Sequence, residues 1–351
     1  MPARNAVAPE SHAPIRLWLG TIALMIALTA IVGAATRLTG SGLSITEWNP
    51  IMGILPPIGD AAWQAAFEKY KTIPQYAQLN KGMSLAAFQN IFWWEWGHRL
   101  LARSIGVVVL LPLLVFWVRG QIPPGLATRL IGLVLLGGLQ GAVGWYMVKS
   151  GLVDRIDVSQ YRLALHLGLA VAIFGLTLWT LFKLDPDQHR SHLVSITPAQ
   201  RVVAALLVGL VYLQVLLGAL VAGLKAGRTF NTWPLMDGAL LPGGLGQLTP
   251  FWHNVFENPA LVQFNHRLLA YGLLALAIAQ AWGLQRSADD ERVRFSAWLL
   301  AILILGQAAL GIWTLLAWVP VHLGVAHQAG ALAVFTAAIW HLFTIERASK
   351  P

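Results

Sequence analysis

Four of the ten histidines in this 351-residue chain occupy matching places in an internal repeat. The run His98–Ala102 returns 168 residues later, starting at His266, and the segment around His166 returns 161 residues later around His327. Each half of the chain then offers two imidazoles from two different helices. Two imidazoles on opposite faces of a planar macrocycle hold a heme iron as axial ligands, so the pattern predicts iron–macrocycle chemistry. His341 lies outside the pattern and is expected to bond to a neighbouring helix.

A carboxylate stands beside only one of these histidines. Glu95 lies three residues before His98 and shares its helix face, whereas the matching residue before His266 is the neutral Gln263. A titratable group at only one of two similar sites is expected where a proton is transferred. The alternative is a structural role, because a helix dipole stabilises a carboxylate near a helix start. The predicted catalytic residues are Glu95, His98 and His166.

The elements that carry these residues are membrane-spanning helices. Only 11% of the residues are charged and 57% are hydrophobic, whereas a soluble domain usually has about 25% charged residues. The stretches 17–36, 130–148, 163–182 and 202–224 contain no charged residue, and a helix of about 20 residues crosses a ~30 Å hydrocarbon core. This composition excludes a soluble enzyme, a disordered chain and a secreted disulfide scaffold. The apolar windows predict spans at 16–36, 93–118, 129–148, 161–182, 202–224, 260–285, 295–317 and 321–345.

The chain contains no cysteine, which excludes disulfides, zinc–thiolate sites, iron–sulfur clusters and thiol nucleophiles. Any metal or cofactor must be held by histidine, methionine, carboxylate or backbone groups. The net charge of +9 comes from residues between the spans rather than from one basic patch, so no nucleic-acid partner is expected. The surrounding partner that the composition implies is membrane lipid.

The repeat predicts an all-α membrane protein built from two tandem four-helix bundles. Gly33 recurs 185 residues later as Gly218, and Gln140–Gly144 matches Gln307–Gly311. Each unit has an even number of spans, so both units enter the membrane from the same side and the repeat is parallel. Parallel repeats also build transporters, so the symmetry alone does not decide the function. The predicted units are residues 1–190 and 191–351.

The distribution of Lys and Arg predicts the orientation of the spans. Basic residues are about twice as dense in the loops on the side of the two termini, which the positive-inside rule places in the cytoplasm. The long loop 37–91 is then outside, and the four repeated histidines lie near the outer, periplasmic face. In that loop Trp63, Phe67 and Tyr70 have helical spacing and predict a short helix on the membrane surface.

The sequence resembles the heme A synthase family from Leu17 to Phe343. The resemblance is carried by Gly40–Ser44, Trp48–Pro50, Glu95–Arg99, Gln140–Trp145, Asn231–Met236, Asn265–Arg267 and His327–Gln328. It implies oxidation of the C8 methyl group of heme O to the formyl group of heme A for cytochrome oxidase, with water as the oxygen source. Some members carry a cysteine pair in the first outer loop. Its absence here resembles the cysteine-free subgroup common in proteobacteria and mitochondria.

The resemblance also implies roles for individual residues. His266 and His327 would ligate a heme b in the C-terminal half, while His98 and His166 would face the iron of the substrate, heme O. The heme propionates need cations near the outer surface, although each candidate also suits ordinary interfacial anchoring. These candidates are Arg37, Arg162, Lys225 and Arg228.

The implied location is the bacterial inner membrane. The implied neighbours are a heme O synthase (a farnesyltransferase) and cytochrome oxidase assembly factors, and the sequence leaves a homo-oligomer open. Two other classes remain as alternatives. A diheme, quinol-linked electron-transfer cytochrome explains the paired histidines but not the difference between Glu95 and Gln263. A transporter with parallel repeats would use the histidines for proton coupling.

Overall fold

A computed structural model describes residues 12–49, 52–153, 155–185 and 196–348. Within these ranges eight helices are long and apolar enough to cross a membrane, which confirms the predicted number of spans. The chain is therefore a multi-pass helical membrane protein. Its α-helices are α1 (Ala13–Leu38), α2 (Asp60–Lys71), α3 (Pro74–Leu79), α4 (Leu85–Val118), α5 (Leu126–Gly151), α6 (Gln160–Lys183), α7 (Pro198–Gly223), α8 (His253–Glu257), α9 (Pro259–Ser287), α10 (Glu291–Leu316) and α11 (Val321–Ala348). The short helices α2, α3 and α8 lie in the connections.

Side-chain caps fix where several spans begin. In each case a side-chain oxygen accepts a backbone N–H of the first turn, which satisfies a donor that the helix itself leaves unpaired. At α7 the cap is reciprocal, because Gln200 also accepts the backbone N–H of Thr197, at 2.9 Å. The capping residues are Ser84, Ser159, Thr197, Asn258 and Asp290.

The second span, α4, begins at Leu85, eight residues before the predicted start at 93. Ser84 caps it, and Phe88 and Phe92 on its first turns are buried against the outer loop rather than in the membrane bundle.

The predicted helix in the outer loop is present as α2, but its apolar face packs on protein. Trp63, Phe67 and Tyr70 are all buried, and they form a hydrophobic cluster with Phe88 and Phe92 of α4. The apolar face of this helix is therefore covered by protein, and its position on the membrane surface stays a prediction. The aromatic face of α4 offers a closer apolar partner. Burial raises the pKa of Tyr70, so its hydroxyl stays protonated and donates to Gln75 at 3.0 Å.

The spans pack in a similar order in the two parts of the chain. In the first part α1 packs on α4 and α6, and α5 packs on α6; in the second, α7 packs on α9 and α11, and α10 packs on α11. Contacts of α1 with α11, α6 with α7 and α6 with α11 join the two parts. The hydrophobic core runs through these helices. The division at residue 190 and the parallel orientation of the two units stay predictions.

One helix pair differs between the two parts. Helices α9 and α10 pack closely together, whereas the corresponding helices α4 and α5 touch at only a few points. Helices α4 and α5 are also the least buried of the eight spans. The bundle in the first part is therefore open on one side, between α4 and α5.

Candidate functional site

The His98 imidazole projects from α4 against α1. Its Nδ1 lies 3.1 Å from the backbone carbonyl oxygen of Thr29. A carbonyl oxygen can only accept, so Nδ1 donates the hydrogen bond and Nε2 keeps an unprotonated lone pair. Gly33, one turn along α1, leaves room for the ring, because a Cβ there would lie 2.9 Å from Cε1 of His98. The ring is thus oriented by α1 with one nitrogen available to a ligand.

The His166 imidazole projects from α6 against α5 in a similar way. A Cβ on Gly144 would lie 2.9 Å from Cε1 of the ring. Gln140, one turn before this glycine, donates from its Nε2 to the backbone carbonyl of His166 at 3.1 Å, and the same nitrogen lies 3.1 Å from Nδ1 of the ring. One glutamine therefore contacts both the backbone and the ring of this histidine.

The two histidines of the second part have the same neighbours. Gln214 of α7 donates to the backbone carbonyl of His266 at 2.9 Å, with Nε2 at 3.1 Å from the ring Nδ1. Gln307 of α10 donates to the backbone carbonyl of His327 at 2.7 Å, with Nε2 again 3.1 Å from Nδ1. A glycine four residues after each glutamine lies against the histidine ring. A Cβ on Gly218 would lie 3.3 Å from Cε1 of His266, and a Cβ on Gly311 would lie 2.8 Å from Cε1 of His327.

The four sites share one local design. A residue on an odd-numbered span contacts the histidine of the next span, and a glycine four residues later gives the ring space. The four pairs are Thr29 and Gly33, Gln140 and Gly144, Gln214 and Gly218, and Gln307 and Gly311. The imidazoles are also close enough within each part to interact electrostatically, His98 with His166 and His266 with His327.

These sites fit a heme better than a bare metal ion. Among the described residues there is no group of three or more His, Cys, Asp or Glu side chains that could hold a metal ion by themselves. A heme iron needs only two axial ligands from the protein, because the macrocycle supplies the other four. A pair of imidazoles in an apolar bundle, each with a glycine beside its ring, meets that requirement.

Glu95 lies in a buried hydrogen-bond network near the start of α4 and is 2% exposed. Its Oε2 accepts from the Ser44 hydroxyl at 2.7 Å and from the Ile45 backbone N–H at 2.8 Å. Its Oε1 accepts from the Arg99 guanidinium at 2.6 Å. Arg99 in turn donates to the backbone carbonyls of Ile45 and Glu47. The carboxylate therefore holds the loop after α1 against α4.

The corresponding residue in the second part, Gln263, holds its loop through a neutral amide. Its Nε2 donates to the backbone carbonyls of Ala226 and Phe230, and its Oε1 lies 3.4 Å from Arg267. Arg267 donates to the carbonyls of Phe230 and Thr232. The loop-holding role is thus common to both parts, and only the first part uses a titratable group for it.

The four candidate cations have different surroundings. Arg37 and Lys225 both pair with Asp157, at 3.0 and 2.5 Å, across the contact between the two parts of the chain. Arg162 lies over the ring of Tyr146, with 4.9 Å from its Cζ to the ring centroid. Arg228 is exposed and makes no side-chain ion pair within the described residues. The structure thus brings two of the four together around one carboxylate.

Two of these partners, Gln214 and Asp157, were not singled out in the sequence, and Gln140 and Gln307 were matched in the repeat without a role. Gln140 and Gln307 match each other in the repeat, so the repeat contained their signal. Gln214 matches Thr29 in the repeat, but Thr29 contacts His98 through its backbone carbonyl and not through its side chain. A comparison of residue types therefore cannot show that Gln214 and Thr29 have the same role. Asp157 has no signal in the sequence, because its two partners come from distant parts of the chain.

The fold and the histidine pairs define a class: polytopic membrane proteins that present paired imidazoles between their spans. The profile of the COX15-CtaA family, described as cytochrome oxidase assembly protein, matches residues 16–339, and the chain belongs to this family. The chain is 52% identical over 333 residues to a protein of Mesorhizobium japonicum named heme A synthase, covering 94% of this chain and 91% of that protein. It is 47% identical over 349 residues to a protein of the same name from Parvibaculum lavamentivorans, covering 99% of each chain. A Chelativorans protein of that name is 52% identical over 341 residues, 97% of this chain and 93% of its own length.

Proposed function

We propose that this protein is a heme A synthase that oxidises the C8 methyl group of heme O to a formyl group. The observation that carries the proposal is identity of about half, over nearly the full length, to proteins of that name. In net terms one oxygen atom enters from water, four protons are released, and four electrons pass from the methyl carbon to an electron acceptor outside this chain. A bound heme supplies the redox chemistry that side chains lack.

We assign the resident heme b to His266 and His327 and the substrate heme O to His98 and His166. The close packing of α9 on α10 favours a permanently enclosed cofactor in the second part. The loose contact between α4 and α5 favours a substrate that enters and leaves through the membrane, with its apolar farnesyl tail among the lipid chains. All four histidines lie on helices, which hold each imidazole in one orientation. This suits both the binding of a resident heme b and the binding of a substrate heme O.

Glu95 is proposed to accept and pass on protons released at the substrate site. Its two carboxylate oxygens are fixed by Ser44, Ile45 and Arg99, so the group is held in one position. A fixed carboxylate close to a reacting centre is suited to general acid–base catalysis. The matching Gln263 cannot take up a proton under ordinary conditions, which agrees with a resident cofactor in the second part.

The propionates of the two hemes are proposed to bind near the outer surface, where the four cations Arg37, Arg162, Lys225 and Arg228 lie. Asp157 already positions Arg37 and Lys225 next to each other, and a propionate carboxylate has the same charge and acceptor atoms as Asp157. With the termini in the cytoplasm, this end faces the periplasm of a bacterial inner membrane. A heme O synthase in the same membrane is the expected source of substrate.

The test is to express the full chain in cells that make heme O and lack their own heme A synthase, and to identify the extracted hemes. We expect heme A in the cell extract, and heme b bound to the purified protein. Bound heme b without any heme A would instead indicate an electron-transfer cytochrome. A purified protein without heme would refute both heme-based functions and favour a transporter.

A further inference from the structure

Three glutamines contact the predicted iron ligands in the same way, and each leaves one polar atom unused. Gln140, Gln214 and Gln307 each donate from Nε2 to the backbone carbonyl of their histidine. The Oε1 atoms of all three are buried and accept no hydrogen bond from any of the described residues. A buried acceptor without a donor is destabilising, so three copies of the same feature call for a function.

The chemistry of an iron-bound imidazole supplies the missing donor. A neutral imidazole carries one N–H, so a ring that binds iron through Nε2 must hold its proton on Nδ1 and donate from there. In each of the three sites Nδ1 already lies 3.1 Å from the amide nitrogen. The oxygen belongs to the same planar amide, whose nitrogen also lies 3.5 and 3.3 Å from Nε2 of His166 and His266, so the amide must turn for Oε1 to take the place of the nitrogen at the ring.

The fourth site shows an oxygen acceptor in this place. Nδ1 of His98 donates to the carbonyl oxygen of Thr29, and Thr29 matches Gln214 in the repeat. The Thr29 side chain does not take part, because its hydroxyl donates to the carbonyl of Met25 in its own helix. At this one position a backbone carbonyl oxygen lies where a glutamine amide nitrogen lies in the other three sites.

We propose that Gln140, Gln214 and Gln307 are positioning residues whose Oε1 atoms accept the Nδ1–H of His166, His266 and His327 when Nε2 of each ring binds heme iron. The proposal rests on the proposed heme sites. It assigns two such acceptors to heme b, one for each axial ligand, and one acceptor to the substrate site. An acceptor at Nδ1 fixes the orientation of the ring and makes Nε2 more basic. It should therefore hold heme more tightly and stabilise ferric over ferrous iron.

The experiment compares Gln214→Met and Gln307→Met with Gln280→Met in the full-length protein. Methionine keeps the length of the side chain and removes both hydrogen-bonding atoms. Gln280 is the matched control, because it is a buried glutamine of α9 that donates to a backbone carbonyl, that of Gln200, and lies 3.4 Å from a ring nitrogen of His341. His341 lies 14 residues beyond His327 in α11, about 21 Å along the helix.

We expect heme b to be retained about 10–100-fold less tightly in Gln214→Met and Gln307→Met. The heme that remains should have a higher midpoint potential, and Gln280→Met should match the wild type in both measurements. Gln214→Glu keeps an acceptor oxygen and should retain more heme than Gln214→Met. This comparison still holds if the methionine variants lose their heme completely.

Two results would overturn the proposal while leaving the heme sites intact. The first is wild-type retention and potential in both methionine variants. The second is equal loss of heme from Gln214→Met and Gln214→Glu in folded protein, which would show that only the N–H bond to the backbone matters. A wild-type protein that never binds heme b would refute the heme assignment and this inference together.

Discussion

Replacing Glu95 with glutamine separates the two roles that its surroundings allow, because the side chain keeps its size and loses its charge. Glutamine has one acceptor oxygen where the carboxylate has two. If that oxygen stays with Ser44 and Ile45, the amide N–H₂ faces the Arg99 guanidinium, and one charge-assisted hydrogen bond is lost. The buried Arg99 charge then lacks its carboxylate partner, and breaking such a pair costs about 3–5 kcal/mol. Arg99 keeps its two backbone carbonyl partners, so local loosening is expected rather than unfolding.

The effect on turnover is measured separately from this loss of stability. Acid–base catalysis by a positioned side chain contributes about 10²–10⁴-fold, so heme A formation in Glu95→Gln should fall by at least about 100-fold. Heme O or a partly oxidised product should accumulate. Heme b should stay bound, since His266 and His327 lie on α9 and α11 and do not contact this network. The assay is chromatographic separation of hemes extracted from cells that express equal amounts of each protein.

Ser44→Ala is the matched control. It removes one hydrogen bond to the same carboxylate, at a cost of about 1.5–3 kcal/mol, but it leaves the titratable group and its ion pair with Arg99 in place. If Glu95 transfers protons, Ser44→Ala should keep most of the heme A yield. Equal loss of yield in Ser44→Ala and Glu95→Gln would assign Glu95 a loop-holding role only. A near-wild-type yield from Glu95→Gln would refute the catalytic role directly.

Three further predictions concern packing, charge and orientation. Gly311→Ala places a Cβ 2.8 Å from Cε1 of His327, an overpacking that costs about 1–3 kcal/mol, and should reduce the amount of heme b per purified protein. Gly306→Ala is the control on the same helix, because its Cβ meets no described atom within 4 Å and should leave the heme b content unchanged. Asp157→Asn leaves Arg37 and Lys225 without the carboxylate that joins them, so the midpoint temperature of thermal unfolding should fall. The fall should be smaller in high salt than in low salt, because salt screens the charges. Since the chain has no cysteine, a membrane-impermeant maleimide should label Gln78→Cys from outside intact cells and Asp289→Cys only after permeabilisation, and the reverse result would refute the predicted orientation.

The spans could be predicted from the sequence because the bilayer imposes a length and a composition that a single window can detect. The start of α4 could not, since its first turns are stabilised by contacts with a separate segment. Phe88 packs on Phe67 and Tyr70, which lie about twenty residues earlier in another helix. Such a contact depends on how the loop folds back, and neither hydropathy nor helical periodicity contains that information.

The candidate site was predictable as far as the repeat preserved residue types. The four histidines and two of the three glutamines match their repeat partners by type and position. Gln214 was missed because its counterpart Thr29 contacts the ring through the backbone, and any residue type can supply a carbonyl. Asp157 was missed because a carboxylate that joins Arg37 to Lys225 is defined only by the contact between the two parts of the chain.

The two parts of the chain differ at three points of one shared design, and all three differences favour a substrate in the first part. Thr29 stands where Gln214 stands, so one ring is held by backbone alone. Glu95 stands where Gln263 stands, so one loop is held by a group that can also accept a proton. Helices α4 and α5 barely touch where α9 and α10 pack closely. A resident cofactor is best served by an enclosed site that binds it once, whereas a substrate needs an opening, a proton acceptor and a ligand set that releases the product. A transporter would need a path to both membrane surfaces, and a diheme cytochrome keeps both of its hemes, so it needs no opening through which a heme enters and leaves.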